Sequence, residues 1–272
     1  MIKMENVMYK YKDNTVALNN INFDLDKGNI IGLIGSNGAG KTTLILNCVG
    51  LLKPNKGNIT FNKKELKYNK KFLLNLRNHV GVVFQDPDRQ IFYSKVYDDI
   101  AFGPRNLGLN ESEVKKRVDY ALKMVNAEKF KDKPVHFLSH GQKKRVAIAG
   151  VLAMDNDVIF FDEPTAGLDP DITEKMIALL KRISNEGKKL VISSHDMDLI
   201  YNLCDYSYVL NEGEIIGSDK TNKIFLKEDL INKAKLKQPW LVRLHKNLNI
   251  PLFKSEKALY SFFNQRSESF FS

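Results

Sequence analysis

The apolar residues of the chain fall into short continuous runs, which is the pattern of strands buried on both faces of a sheet. Such runs lie at residues 30–34, 80–84, 158–161 and 190–193. Helical patterns stand between several of them. In the helix predicted after Asn110, one face is apolar and the other charged, as expected of a surface helix in a helical subdomain. Strands that alternate with helices predict an α/β fold.

Alternation of apolar and polar positions marks two further segments. Residues 2–26 alternate around a turn at residues 12–14, which predicts a small antiparallel β section, and residues 59–61 add a strand. Residues 206–216 predict a second two-stranded unit, with a turn at residues 211–213. Beyond Gly217 the pattern becomes helical and basic.

The stretch GSNGAGKTT follows the first buried run directly and precedes an apolar segment, residues 44–49, that is typical of a helix. Strand, glycine loop and helix in this order are the context of a phosphate-binding loop. Glycines let backbone N–H groups close around phosphate oxygens, and the helix start is positive. An ordinary glycine turn before a helix is the alternative. The nucleotide-binding residues expected here are Gly35, Ser36, Asn37, Gly38, Ala39, Gly40, Lys41, Thr42 and Thr43.

Polar residues at the ends of two other predicted strands are expected to complete the site that Lys41 and Thr42 begin. Lys41 supplies a full charge to the β- and γ-phosphates, and the Thr42 hydroxyl can ligate Mg²⁺. Asp162 and Glu163 end the run at 158–161, at the edge where ligands bind to open α/β sheets. An acid there commonly holds Mg²⁺, and its neighbour can orient an attacking water. His195 ends the run at 190–193, either as a structural residue or as part of this site.

Four further residues, at three places in the chain, are candidate site residues on the local sequence pattern. Ser139 and Gln142 have capping-box spacing at the start of a helix rich in small residues. Asp169 is predicted to cap a helix that has Pro170 at its first position. Tyr11 precedes the turn at residues 12–14, where an exposed ring can stack on adenine, although a half-buried strand tyrosine fits equally well.

Length, cysteine content and charge limit the kinds of protein that this chain can be. The chain has 272 residues, enough for one large domain, and its two cysteines lie in apolar segments as expected for buried thiols of a reducing compartment. We see no signal peptide and no apolar run of about 20 residues, so we expect a soluble protein, or at most one that sits on a membrane through a partner. The formal charge is +10, but scattered lysines favour a solvated surface over a nucleic-acid or lipid site.

In this order, the motifs resemble the nucleotide-binding subunit of ABC transporters over residues 2 to about 235. GSNGAGKTT resembles the Walker A motif and VIFFDEP the Walker B motif, while Gln85 stands where that family has its Q-loop. LSHGQ is similar to the signature motif, AGLD to the D-loop and SSHD to the switch histidine. The resemblance implies a P-loop ATPase with an antiparallel β subdomain and a helical signature subdomain.

The resemblance also implies how two chains share ATP and Mg²⁺. One chain would supply Tyr11, the phosphate loop and three catalytic residues, Gln85, Glu163 and His195. Thr42, Gln85 and Asp162 would hold the Mg²⁺ ion. The second chain would supply the residues of its signature and D-loop, Ser139, His140, Gly141, Gln142 and Asp169. His140 departs from the family pattern, in which glycine is usual.

Finer similarity points to a type of importer. FQDPDRQIF, VYDDIAFGPRNLGL and GQKKRVAIAGVLAM look like the ATPases of energy-coupling-factor importers, especially the cobalt and nickel branch, and residues 236–272 would be that group's basic C-terminal extension. The resemblance implies a second ATPase chain, integral membrane subunits with a substrate-binding component, and a peripheral location on the cytoplasmic side of the cell membrane. Alternatives are a vitamin importer, a soluble nucleic-acid or ribosome-associated ATPase, and a non-catalytic half. We expect no nucleic acid.

Overall fold

The computed structural model describes residues 1–268, and over that range the chain forms ten β-strands and eleven α-helices. The strands are β1 (Ile2–Lys10), β2 (Val16–Asp24), β3 (Ile30–Ile34), β4 (Lys56–Phe61), β5 (Lys64–Glu65), β6 (Val80–Val83), β7 (Val158–Asp162), β8 (Lys189–Ser194), β9 (Tyr206–Asn211) and β10 (Glu214–Lys220). The helices are α1 (Lys41–Cys48), α2 (Lys70–His79), α3 (Val96–Asn106), α4 (Glu111–Met124), α5 (His140–Ala153), α6 (Pro170–Asn185), α7 (Met197–Leu203), α8 (Thr221–Leu226), α9 (Glu228–Lys233), α10 (Trp240–Leu248) and α11 (Glu256–Glu268).

The larger sheet has the strand order β10-β9-β3-β8-β7-β6, and every pairing except that of β9 with β10 is parallel. Its apolar strands contribute to two cores, one on each face. In β7, Phe160 packs into the core shared with the antiparallel sheet, while Phe161 packs into the helical core. This two-sided burial explains why the runs seen in the sequence are continuous rather than alternating.

The smaller sheet is antiparallel, with the order β2-β1-β4-β5. It covers α1 and one face of the larger sheet, through a core that includes Phe23, Leu44 and Phe160. On the other face, α3, α4 and α5 form the helical subdomain. Asn110 caps α4 by accepting a hydrogen bond from the Glu113 N–H. The α/β class and both predicted subdomains are confirmed.

Two local predictions were incomplete. Residues 63–71, for which the sequence pattern predicts no element, contain β5 and the start of α2, where the Asn69 side chain accepts the Phe72 N–H at 2.9 Å. The strand β10 continues to Lys220, beyond the point where we expected helix. β5 is only two exposed residues long, and none of residues 217–220 at the end of β10 is buried, so hydrophobic periodicity marks neither of them.

The predicted extension packs against α7 and α8. The Trp240 N–H donates to Asp198 Oδ1 at 2.8 Å, and the Tyr201 hydroxyl donates to the Phe253 carbonyl at 3.0 Å. Leu241, Val242 and Leu259 are buried in the helical core. Residues 269–272 of the predicted extension lie outside the described residues, and the boundary at residue 235 stays a prediction.

Two sequence expectations concern burial and membrane spans. Cys48 and Cys204 are both buried free thiols, and burial raises the pKa of each well above its usual range. Within residues 1–268, no helix has the length and apolarity that a membrane crossing requires.

Candidate functional site

Three parallel strands end at the same edge of the larger sheet and carry the candidate residues there. The phosphate loop follows β3, Asp162 ends β7 with Glu163 directly after it, and His195 follows β8. Because β8 pairs with both β3 and β7, the strand ends bring His195 close to the phosphate loop and to the acids. Residues far apart in sequence are therefore brought together by strand order alone.

The backbone of the phosphate loop requires glycine at two positions. Gly38 and Gly40 have φ angles of 80° and 104°, and Gly40 is the N-cap of α1. A Cβ atom on Gly40 would lie 2.6 Å from the Ala17 carbonyl oxygen. These glycines let the loop turn tightly into α1, so that the free N–H groups of the first turn face the space beside Lys41.

Lys41 is 7% exposed and bonds to its own loop. Its ammonium donates to the Gly35 carbonyl at 2.7 Å and to the Ser36 carbonyl at 3.2 Å. It also lies 3.7 Å from Glu163 Oε1. The Lys41 ammonium is thus held against the phosphate loop, next to the Glu163 carboxylate.

Asp162 is buried and connects the loop to the sheet. The Thr42 hydroxyl donates to one carboxylate oxygen at 2.7 Å, and the Ser193 hydroxyl on β8 donates to the other. Mg²⁺ binds oxygen ligands and usually combines one or two protein groups with phosphate oxygens and water. The Thr42 hydroxyl and the Asp162 carboxylate form such an oxygen pair beside the phosphate loop, so the residues present fit this ion.

Glu163 has a backbone conformation that is uncommon for a residue with a side chain. Its φ angle is 48°, in the left-handed region, and its N–H donates to the Ser193 carbonyl and hydroxyl oxygens, each at 3.1 Å. The buried carboxylate lies between Lys41 and His195, whose Nδ1 is 2.8 Å from Glu163 Oε2. The turned backbone therefore places one carboxylate between two groups that can bear positive charge.

Gln85 follows β6 and lines a cleft that also contains Thr42, Asp162 and His140. Its loop is held by Gln90, which the sequence analysis missed. Gln90 accepts the Phe84 N–H at 3.1 Å and donates to the Val82 carbonyl at 3.3 Å. A glutamine five residues after Gln85 carries no recognisable pattern, so only the folded loop shows this role.

Tyr11 lies beside the first turn of α1. Its hydroxyl is 3.0 Å from Thr43 Oγ1, and its ring meets Tyr9 edge to face with 5.0 Å between centroids. The side chain remains 39% exposed. The ring therefore has an anchored hydroxyl end and an accessible part next to the phosphate loop.

Three signature residues, Ser139, Gly141 and Gln142, face a different cleft from the one that His140 shares with Gln85. Ser139 and Gln142 form the predicted capping box, in which the Ser139 N–H donates to Gln142 Oε1 at 3.0 Å and the Gln142 N–H donates to Ser139 Oγ at 3.4 Å. Ser139, Gly141 and Gln142 line a cleft between α5 and α6 that does not contain the phosphate loop. Within one chain, the phosphate loop lies with Asp162, Glu163 and His195. Ser139, Gly141 and Gln142 lie in a separate cleft.

The side-chain environments of Asp169 and His140 do not follow from their positions in the sequence. Asp169 is the N-cap residue of α6, but its side chain makes no capping hydrogen bond, so the prediction that it caps the helix was wrong in this respect. Its carboxylate is exposed. The His140 ring faces Gly167 of its own chain, since a Cβ atom on that glycine would lie 3.8 Å from His140 Nε2.

Lys144 is a buried cation that the sequence analysis did not single out. It lies on α5 and is 2% exposed, and its ammonium donates to the Ala166 carbonyl at 2.6 Å and to the Glu163 carbonyl at 3.4 Å. Burial lowers the pKa of Lys144 to about 8, which the charges of Glu163 and Asp86 partly oppose. This lysine therefore connects the signature helix to the turn after β7.

With this geometry established, comparison with known families decides the class. The family model described as ABC transporter matches residues 18–166. The chain belongs to the ABC transporter family. This ABC protein is 46% identical over 260 residues to the cobalt import ATP-binding protein CbiO of Salmonella paratyphi A, with 96% of each chain covered. It is also 46% identical over 256 residues to the energy-coupling factor transporter ATP-binding protein EcfA of Methanocaldococcus jannaschii, covering 93% of this chain and 92% of that one.

Solved structures agree with the sequence comparison. The structure of CbiO1 from Clostridium perfringens, described as part of the ABC transporter complex cbiONQ, has a TM-score of 0.77 and 43% sequence identity, covering 90% of this chain and 98% of that one. The predicted family, the ABC ATPase fold and the resemblance to energy-coupling-factor ATPases are confirmed. This ABC protein is accordingly an ATP-hydrolysing member of the ABC transporter family.

Proposed function

We propose that this chain hydrolyses ATP between two ATPase subunits to drive import of cobalt or nickel ions through integral membrane subunits. The observation that carries the proposal is the position of Glu163, with its carboxylate between Lys41 and His195 at the phosphate edge of the sheet. The cobalt import relative supports metal ions as cargo. A vitamin is the second candidate, which the resemblance to energy-coupling-factor importers implies, and the name of the energy-coupling factor relative specifies no cargo.

The proposed hydrolysis assigns one task to each group. The phosphate loop and Lys41 hold the β- and γ-phosphates, and Thr42, Asp162 and Gln85 hold Mg²⁺, which neutralises charge that develops on the phosphate oxygens. Glu163 accepts a proton from a water molecule as the water oxygen bonds to the γ-phosphorus and the bond to the β–γ bridging oxygen breaks, so that ADP leaves with the bridging oxygen. His195 contacts the γ-phosphate, and Tyr11 stacks on the adenine.

The second half of each ATP site is proposed to come from another ATPase chain. Ser139 and Gly141 stand at the N-terminus of α5, where backbone N–H groups and the helix dipole favour an anion. They line a cleft separate from their own phosphate loop, so a second chain can place its own γ-phosphate there. Asp169, whose carboxylate makes no capping bond, is free to contact that second chain.

The surface proposed to meet the membrane subunits is an aromatic cluster formed by Phe92, Tyr93 and Phe102. The three rings lie 4.9–5.6 Å apart between centroids, and Phe92 is 65% exposed. Asp99 fixes the approach to the cluster by accepting the Phe92 and Tyr93 N–H groups, both at 3.0 Å. An exposed aromatic cluster after the Q-loop suits a helix of a membrane subunit.

Replacing Phe92 and Phe102 with alanine is expected to abolish recovery with the co-expressed membrane subunits, because truncating a hot-spot residue of an interface costs about 2 kcal/mol or more. Pull-down from detergent-solubilised membranes measures this. Leu74→Ala is the matched control, since Leu74 is a 50% exposed apolar residue on α2. Charge reversal at Arg105, on the same helix as Phe102, would not test docking alone, because Arg105 forms an ion pair with Glu111 of its own chain at 2.8 Å. Recovery of the double variant at the parent level would place docking elsewhere.

The cargo is tested with the co-purified complex in proteoliposomes that contain ATP on the side of this subunit. We expect uptake of labelled cobalt or nickel that requires ATP. Uptake of a labelled vitamin without either metal would instead support the second candidate. Sedimentation with membranes only when the partner subunits are present would support the peripheral cytoplasmic location that we propose.

His140→Gly is expected to change the ATPase rate little. The His140 ring lies against Gly167 of its own chain. Removing the ring leaves the Ser139 cap in place and lowers the helix propensity of the first turn of α5 by up to about 1 kcal/mol. Steady-state phosphate release and the melting temperature measure both effects. Stronger ATP-dependent pairing of the variant would show that the ring crowds the partner's γ-phosphate. A large loss of rate with normal folding would assign His140 a direct role.

A further inference from the structure

The turn that follows β7 is closed by one hydrogen bond and one buried lysine. The Ala166 N–H donates to the Glu163 carbonyl at 3.2 Å, which closes the four-residue turn. The Lys144 ammonium donates to the carbonyls at both ends of this turn, those of Glu163 and Ala166. Lys144 thus spans the segment that begins with the proposed catalytic residue and leads into the D-loop.

Packing alone does not require a cation at this position. Transferring an ammonium group out of water is unfavourable unless partners compensate for the lost hydration. The hydrogen bonds of Lys144 go to neutral carbonyls, and the salt bridges of the described residues do not include it. A methionine has a similar length without that penalty. The ammonium therefore contributes something that an apolar side chain of similar length would not.

What it contributes follows from the backbone of Glu163. The left-handed conformation is unfavourable for a residue with a side chain, and it persists only where surrounding contacts hold it. Contacts from Ser193 hold the N–H of Glu163, and those from Lys144 and Ala166 hold its carbonyl. Because the peptide groups on either side fix φ and ψ, these contacts determine where the Glu163 carboxylate points.

We propose that Lys144 is a positioning residue for ATP hydrolysis, which couples the signature helix to the catalytic carboxylate of the same chain. Lys144 lies one turn after Gly141 on α5, whose N-terminus faces the ATP of the second chain in the composite site. A shift of α5 on closure of that site moves the ammonium and hence the turn that carries Glu163. Each chain would thereby sense ATP in one site and align the carboxylate of the other. This inference rests on the proposed composite site.

The test compares Lys144→Met with Lys144→Gln and a control in the same full-length chain. Lys144→Met is expected to lower kcat about tenfold or more, with the Kd for ATP within about twofold of the parent, because misplacing a catalytic group affects the transition state more than ground-state binding. The Hill coefficient for ATP should fall toward 1. Lys144→Gln, which keeps a neutral donor, should recover part of kcat.

Lys188→Met is the matched control. Lys188 is 12% exposed and also donates to a main-chain carbonyl, that of Asn156 at 2.9 Å, but it stands before β8 at the opposite edge of the sheet. Its removal should lower the melting temperature without changing kcat of the folded protein. The fraction of each variant that binds ATP normalises kcat, so partial unfolding is not counted as lost catalysis. If the Met variant does not fold, the same measurements on the Gln variant decide.

Two results would overturn the proposal. One is a folded Lys144 variant with the kcat and Hill coefficient of the parent. The other is a parallel loss of ATP affinity and rate, which would indicate a structural role. Glu163→Gln is assayed beside them. If Glu163→Gln keeps the parent rate, the proposed mechanism fails as a whole. If only the Lys144 variants keep it, this inference alone fails.

Discussion

Glu163→Gln is expected to lower the steady-state ATPase rate by about 10²–10⁴, the usual effect of removing a positioned base, or roughly 3–5 kcal/mol of barrier. Glutamine keeps the shape of the side chain and one acceptor oxygen, but it lacks the charge and the basicity. The substitution leaves the Asp162 carboxylate bonded to the Thr42 and Ser193 hydroxyls, and it keeps the backbone N–H of residue 163 that donates to Ser193. The loss should therefore appear in kcat and leave ATP binding intact.

The same variant should accumulate as a dimer with Mg-ATP. Binding energy from both halves of each site holds the two chains together, and hydrolysis no longer releases them. Size-exclusion chromatography with and without Mg-ATP measures this, and a chelator added with ATP should prevent it, since Thr42 and Asp162 are proposed to bind phosphate through Mg²⁺. Glu128→Gln, at an exposed position on the helical subdomain, is the matched control. A rate near that of the parent would show that Glu163 is not the base.

Much of the site follows from sequence because it depends on strand ends. Continuous apolar runs predict buried parallel strands, and their carboxyl ends meet at one edge. That rule is enough to predict that the phosphate loop, Asp162 and His195 lie together. The Ser139 capping box is equally local, because its two hydrogen bonds join residues three apart. Geometry of this kind is determined by short-range spacing or by sheet topology.

The rest depends on contacts that sequence spacing does not encode. Ser193 reaches Asp162 only because β7 and β8 pair with Asp162 opposite Ser193. Lys144 acts through main-chain carbonyls, which leave no residue pattern. The left-handed φ angle of Glu163 is equally hidden, since glycine or asparagine usually marks such positions. Asp169 has the sequence of a helix cap but makes no capping bond with its side chain.

Lys41→Met and Ser139→Arg are each expected to reduce ATP hydrolysis at least about 10²-fold, because each removes charge-neutralising contacts from both sites of a symmetric pair. Methionine keeps the buried stem of Lys41, which is 7% exposed, and removes the ammonium. Arginine fills the exposed space in front of the α5 N-terminus, where the partner's γ-phosphate is proposed to bind. The two variants fail for different reasons, one at the phosphate loop and one at the signature.

Mixing the two variants should restore activity that neither has alone. In a mixed pair, one site joins the intact phosphate loop of the Ser139→Arg chain to the intact Ser139 of the Lys41→Met chain. Random pairing makes half of the dimers mixed with one intact site each, so recovery should reach up to about one quarter of the parent rate. Accumulation of the Glu163→Gln dimer establishes beforehand that two copies pair. Without recovery in the mixture, the phosphate loop and Ser139 would have to act within a single chain, contrary to their separate clefts.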